Sequence, residues 1–287
     1  MRETYGVTLP GMNLSDLPGK LIVIEGTDGV GRTTQINLLR PWLEQEGRAV
    51  LVTGMSRSSL AGKAIKRAKE GNTLARITLT LFYAADFADR LEKEILSALR
   101  AGFVVLTDRY IYSLMARALV RGIDSSWVHN LYRFALKPDA VFYLRIGLAE
   151  LIPRAVFSRG FDYWESGMDL HPSEDMYESF CKYQTALMAQ LDGLAQQYDF
   201  EVLDGARTEE AVFEHLRAGI RQVLAREDTS QEKTAPRRKL LEAVEGQDSP
   251  AELATQQAFR GPKAGAPDIP LPHRDSAELE ERKEPTQ

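Results

Sequence analysis

A chain of 287 residues is long enough for one sizeable domain with additions, or for two small ones. Its 44% hydrophobic and 27% charged residues are those of an ordinary globular protein, and a formal net charge of −5 excludes any global electrostatic drive toward nucleic acid. The single cysteine, Cys181, excludes an internal disulfide and suits a reducing compartment, and no uninterrupted run approaches the ~20 apolar residues of a bilayer span; a cytoplasmic protein without nucleic-acid or membrane partners is expected.

The first twenty residues lack the apolar core of a secretory signal. Five short apolar, β-rich runs follow, at residues 21–25, 49–53, 103–107, 140–145 and 200–203. Most are continuously apolar rather than alternating, as strands covered on both faces of a parallel sheet are. Between them lie helix-length stretches with apolar residues three and four apart, such as Leu91, Ile95, Leu96 and Leu99. Strand and helix in alternation predict right-handed βαβ units, and so an α/β domain. It should be a three-layer α/β/α arrangement with a five-stranded parallel sheet, spanning residues 20–226. The first helix, over 33–45, contains Pro41, which removes a donor and crowds the carbonyl of Asn37, so a kink or an early end is expected there. Residues 227–287 carry one aromatic residue, Phe259, and several prolines. Such a composition buries too little apolar surface to offset the entropy of ordering, which predicts a disordered C-terminal tail with at most a transient helix around 238–245.

The first strand runs into Gly26, Thr27, Asp28, Gly29, Val30, Gly31, Arg32, Thr33 and Thr34, and a helix follows. The pattern G-x-x-x-x-G-K-[ST] is met at every fixed position except the lysine, which is Arg32. Glycines there let backbone N–H groups converge on phosphate oxygens, the helix start adds its positive end, and the Thr33 hydroxyl can reach Mg²⁺. These nine residues are therefore the expected ATP-binding loop, a P-loop. A glycine-rich turn with no ligand would not need strand, helix and hydroxyl together. Arginine keeps the charge of lysine but replaces a compact ammonium by a planar fork, and the two are not interchangeable.

This loop and the residues beyond it resemble the thymidylate kinase family. That family opens with I-E-G-x-D-G-x-G-K-[ST]-T-Q, seen here over residues 24–35 with the lysine changed. Its second signature, D-R-[YH]-x-x-S-x-x-A, falls on residues 108–116, and segments 133–139 and 201–205 resemble the approach to its fourth strand and its last strand. The resemblance covers most of residues 20–225. It implies ATP- and Mg²⁺-dependent phosphoryl transfer to a nucleoside monophosphate, dTMP to dTDP before others, by a homodimer. Carried over residue by residue, Arg32, Asp108 and Arg159 would be catalytic, and Thr33 and Asp108 would hold the metal. Asp28, Tyr83, Arg90, Arg109 and Ser113 would bind the acceptor, with Tyr83 stacked on its base. The arginine that the family places four residues after the stacking aromatic is Phe87 here, and Arg90 shares its helix face as a substitute. Core packing competes as an account of Tyr83 and is the better account of Phe87. The family's arginine-bearing segment after the second strand is replaced by residues 54–59, where Arg57 can restore the charge, and Arg154 and Arg159 are the basic residues of a lid after the fourth strand. Two alternatives stand beside this reading: a kinase of the same fold acting on another nucleotide or nucleoside, and a nucleotide-binding sensor or scaffold with little turnover.

Overall fold

A computed structural model describes residues 2–8, 11–72, 74–158 and 160–225; Arg159 and the expected tail, 227–287, lie outside the described residues. Five parallel strands, β1 (Lys20–Gly26), β2 (Val50–Gly54), β3 (Val104–Asp108), β4 (Ala140–Arg145) and β5 (Glu201–Asp204), form one sheet in the order β2-β3-β1-β4-β5. Every one lies within a residue of its expected run, because a continuous apolar stretch bounded by polar turns leaves little freedom of placement. In β1, Leu21 and Val23 enter one apolar cluster while Ile22 and Ile24 enter the other, so both faces of the strand are covered.

Helices supply the two covering layers. One face packs α1 (Arg32–Gln45) and a helix α9 over residues 209–225, whose Val212, Leu216 and Ile220 join the cluster around Ile22 and Ile24. The other face packs α3 (Arg76–Arg90), α5 (Ile111–Val120) and α8 (Met176–Gln197) around Leu21 and Val105. Helices α2 (Gly62–Glu70), α4 (Leu96–Arg100), α6 (Ser125–Leu131) and α7 (Leu148–Ser158) complete the chain order. A π-helical turn, Leu91–Ile95, joins α3 to α4, and it keeps Leu91, Ile95, Leu96 and Leu99 all buried. The early end expected at Pro41 does not occur: α1 continues to Gln45. Leu39, Trp42 and Leu43 are buried in the core, whereas Pro41 and Asn37 are exposed, so water can satisfy the carbonyl that the proline leaves unbonded.

The segment ahead of β1 also packs on this domain. Leu14 and Leu17 are buried, Arg2 pairs with Asp139 at 2.8 Å, and the Tyr5 and Tyr112 hydroxyls share a 2.5 Å hydrogen bond. Parallel register brings Gly26 of β1, Gly54 of β2 and Asp108 of β3 to the same C-terminal edge of the sheet, where ligands of such folds bind.

Candidate active site

At that edge the chain between β1 and α1 turns sharply enough to need glycine. Gly26 has φ +148°, and a Cβ there would lie 2.8 Å from the Leu144 carbonyl oxygen; Gly31, at φ +105°, starts α1 without any side-chain cap. The first N–H groups of α1 are thus left for an anion. Asp28, Gly29, Gly31, Thr33, Asp108 and Arg109 line a cavity of about 450 Å³ here, together with Arg32, Thr34 and Glu165. A second cavity of about 180 Å³ shares Gly31 and Thr34 with it and is closed by Val30, Arg154, Gly205 and Arg207. Arg154 spans that second cavity, its Nη1 donating to the carbonyls of Gly205 at 2.9 Å and Val30 at 3.2 Å.

Arg32 is buried and committed to its own loop. Its Nη1 donates to the Gly26 carbonyl at 2.6 Å and also to that of Thr27, and its Nε donates to Asp108 Oδ1 at 2.7 Å. The other Asp108 oxygen accepts from the Thr33 hydroxyl at 3.2 Å and has Arg57 Nη2 at 3.8 Å. Burial works to raise the Asp108 pKa, but Arg32 and Arg109 outweigh it and hold the carboxyl below its ordinary value. A hydroxyl and an ionised carboxylate side by side are the hard oxygen donors that Mg²⁺ takes, so Thr33 and Asp108 fit the ion.

Arg109 follows Asp108 in the left-handed region, φ +68°, which for a non-glycine residue costs about 1–3 kcal/mol. Glu25 explains how this turn is held. Fully buried at the end of β1, it accepts from the Tyr110 N–H at 2.8 Å, the Ser113 N–H at 3.3 Å and the Ser113 hydroxyl at 2.5 Å. Burial pushes the Glu25 carboxyl up from its ordinary value, and these bonds act against that. Ser113 is therefore turned toward Glu25 and does not line the cavity. Arg109 Nη2 donates to Asp28 Oδ1, and Arg117 Nη2 donates to the other oxygen, Oδ2. Burial would raise the Asp28 pKa, yet Arg109, Arg117 and Arg32 hold it far below the usual carboxylate range.

The expected base-reading residues lie deeper. Tyr83 is buried, with Arg117 and Arg121 among the charges acting on it, and it does not line the cavity. Phe87 meets Tyr110 edge-on at 5.0 Å as a core residue. Arg90 is fully buried and donates through Nε to Asp86 at 3.0 Å, while its Nη1 and Nη2 have no hydrogen-bond partner. Asp86 in turn accepts the N–H groups of Ser56 and Ser58, so the pair fixes the loop that carries Arg57 toward Asp108. Arg117 and Arg121 carry no motif signal, and Glu25, although it is the glutamate of the opening motif, carries none that points to the Arg109 turn.

Among the described residues no helix is long and apolar enough to cross a membrane. The family model described as thymidylate kinase matches residues 24–216. A probable thymidylate kinase 2 of Saccharolobus solfataricus is 40% identical over 193 residues, covering 66% of this chain and 89% of the relative. A probable thymidylate kinase of Thermococcus kodakarensis is 40% identical over 142 residues, 46% of this chain and 69% of the relative. A thymidylate kinase of Brachyspira hyodysenteriae is 29% identical over 166 residues, 57% and 82% of the two chains.

Proposed function

The chain belongs to the thymidylate kinase family, and from that premise we propose that it transfers the γ-phosphoryl group of ATP to a nucleoside monophosphate, dTMP before others. The observation that carries this reading is the meeting of the Gly26–Thr34 loop with Asp108 and Arg109 around one cavity. An acceptor phosphate oxygen attacks the γ-phosphorus in line, the bond to the β–γ bridging oxygen breaks, and ADP leaves. No side chain need act as nucleophile, so positioning and charge neutralisation carry the catalysis. The α1 N-terminus and the loop N–H groups orient the donor phosphates, and the second cavity, between the loop and Gly205, suits the rest of the donor nucleotide. Arg109 faces the acceptor phosphate as a guanidinium fork. Thr33 and Asp108 would hold Mg²⁺, which supplies neutralisation of charge on the β- and γ-phosphate oxygens. Tyr83, Arg90 and Ser113 remain the acceptor-side residues of this reading, and Arg159 its lid arginine.

The same reading makes residues 20–226 the catalytic domain and 227–287 dispensable for chemistry, and places a homodimer in the cytoplasm. One observation favours a second reading, nucleotide binding with little turnover: Arg32 spends its guanidinium on Gly26, Thr27 and Asp108. A coupled ADP-release assay over a panel of nucleoside monophosphates decides. The expected order is dTMP first and dUMP next. A clear purine preference overturns the thymidylate assignment, and ATP binding without ADP release from any acceptor favours the second reading.

A further inference from the structure

Two arginines lie one turn apart, Arg117 on helix α5 and Arg121 at the cap that ends it, and their surroundings differ in a telling way. Arg121 is saturated: it grips Asp169 with Nε at 2.8 Å and Nη2 at 3.0 Å, and its Nη1 donates to the Tyr183 hydroxyl at 2.9 Å and the Arg117 carbonyl at 3.2 Å. Arg117 is not. Only 6% exposed, it donates to Asp28 and, at 3.5 Å, to the Tyr183 hydroxyl, and its Nε–H has no hydrogen-bond partner. The Nε–H of Arg109 is likewise buried without a partner.

Arg109 and Arg117 thus converge from two sides on one small carboxylate at the wall of the cavity. Both arginines hydrogen-bond this one carboxylate, and Arg32 Nη2 stands 3.8 Å from it although Arg32 is itself paired with Asp108. Asp108 and Glu165, the other carboxylates lining the cavity, act on Arg109 and Arg117 respectively as further negative charges. Each guanidinium has five N–H donors in a planar fork, more than one carboxylate can accept. A phosphate monoester dianion supplies the extra acceptor oxygens for the unpartnered Nε–H groups, and arginine forks match its geometry.

We propose that Arg109 and Arg117 form a two-armed clamp for the phosphate of the acceptor nucleotide, with Asp28 holding both arms in register. The clamp rests on the phosphoryl-transfer reading above. Arg121 is the strut behind it, fixing Arg117 through its carbonyl and through Tyr183. Arg117 binds and positions the acceptor, and its first effect is on acceptor affinity.

The test compares dissociation constants of dTMP and thymidine by calorimetry on the full chain, for wild type, Arg117→Gln and Arg117→Lys. AMP and adenosine run alongside, so a different base preference leaves the comparison readable. Arg117→Gln should weaken the monophosphate about tenfold or more while the nucleoside shifts less than about twofold, because the lost charge-assisted bonds reach only the phosphate. Arg117→Lys should fall between, since it keeps the charge and loses the fork; it also decides the matter if Arg117→Gln fails to fold. Parallel weakening of nucleotide and nucleoside would mean that Arg117 only neutralises Asp28, and would overturn the clamp. So would a wild-type protein that prefers neither monophosphate to its nucleoside. Intact monophosphate preference without ADP release would sink turnover and leave the clamp standing.

Discussion

The donor side and the acceptor side that we propose for the cavity are built in opposite ways. The phosphate-binding part of the donor side is one contiguous stretch, residues 26–34, in which backbone N–H groups and a helix start form the surface and side chains assist. The acceptor side is assembled from side chains far apart in sequence: Asp28, Arg109 and Arg117 meet although 89 positions separate the first from the last. A backbone surface keeps its N–H groups whatever side chains the loop carries. A site made of buried charges is held by mutual neutralisation, so loss of one member exposes the rest.

The largest expected effect follows from that difference. Asp28→Asn keeps the shape and removes the charge that Arg109 and Arg117 share. Removing one partner of a buried ion pair costs about 3–5 kcal/mol, and denaturant unfolding should record a loss of that order. Removing the exposed Arg40–Glu44 pair should cost below about 1 kcal/mol. The pH dependence has a definite sign. Asp28 is held below its ordinary value, so its contribution is fully present above the unfolded aspartate value of 3.8 and is lost only as pH falls below it. Glu25, raised by burial, acts in the opposite sense, giving up stability as pH rises through its folded value. It is common to both proteins and cancels in the comparison. The stability gap between wild type and Asp28→Asn should therefore hold from neutral pH down to the ordinary aspartate value and close below it. A gap that closes well above that value would mean that the arginines do not hold Asp28 ionised.

A smaller effect, on rate, is expected on the donor side. Arg32 binds Asp108 and two loop carbonyls at once, and an ammonium on a flexible stem cannot reproduce that set. Arg32→Lys should release Asp108 toward Mg²⁺ and let the cation follow the γ-phosphoryl group into the transition state. Only interactions that strengthen there raise turnover. We expect kcat to rise about tenfold, equivalent to ~1.4 kcal/mol of barrier, with a lower half-saturating Mg²⁺ concentration. Arg32→Ala should lower kcat and weaken ATP binding measured at equilibrium. A slower Arg32→Lys enzyme would mark the arginine as an adapted catalytic group.

The two sides were also unequally legible in the sequence. The strands could be placed because burial on both faces writes a continuous apolar run, and β4 occupies 140–145 as expected. The P-loop could be placed because its chemistry depends on spacing within one segment. Arg117 could not, since its part depends on Asp28, 89 positions away in the loop after the neighbouring strand, and alone on a helix it reads as a solvated charge. Glu25 was hidden inside the opening motif, where it stands as one more residue of a strand, although it holds the Arg109 turn. Arg90 was legible as a helical neighbour of Phe87 but not as a buried ion pair, because Asp86 matters only once the loop after β2 folds back onto it.

The smallest effect tests whether the donor side is a rigid unit. Pro41 lies nine residues beyond Arg32 in α1, roughly 13 Å along the axis at 1.5 Å per residue. Pro41→Ala restores an N–H to bond the Asn37 carbonyl, worth about 0.5–1.5 kcal/mol. The same change loosens the unfolded chain and gives back about 0.4–1 kcal/mol. Both ends of the restored bond are exposed, which keeps the gain at the low end, so a net stabilisation within about 1 kcal/mol is expected by denaturant unfolding. Turnover should not change, because Leu39, Trp42 and Leu43 already clamp the helix to the core on both sides of the proline. A shift in kcat beyond about twofold would show that α1 bends at Pro41 and carries the P-loop with it. The donor side would then be as dependent on distant contacts as the acceptor side, and the contrast between them would fail.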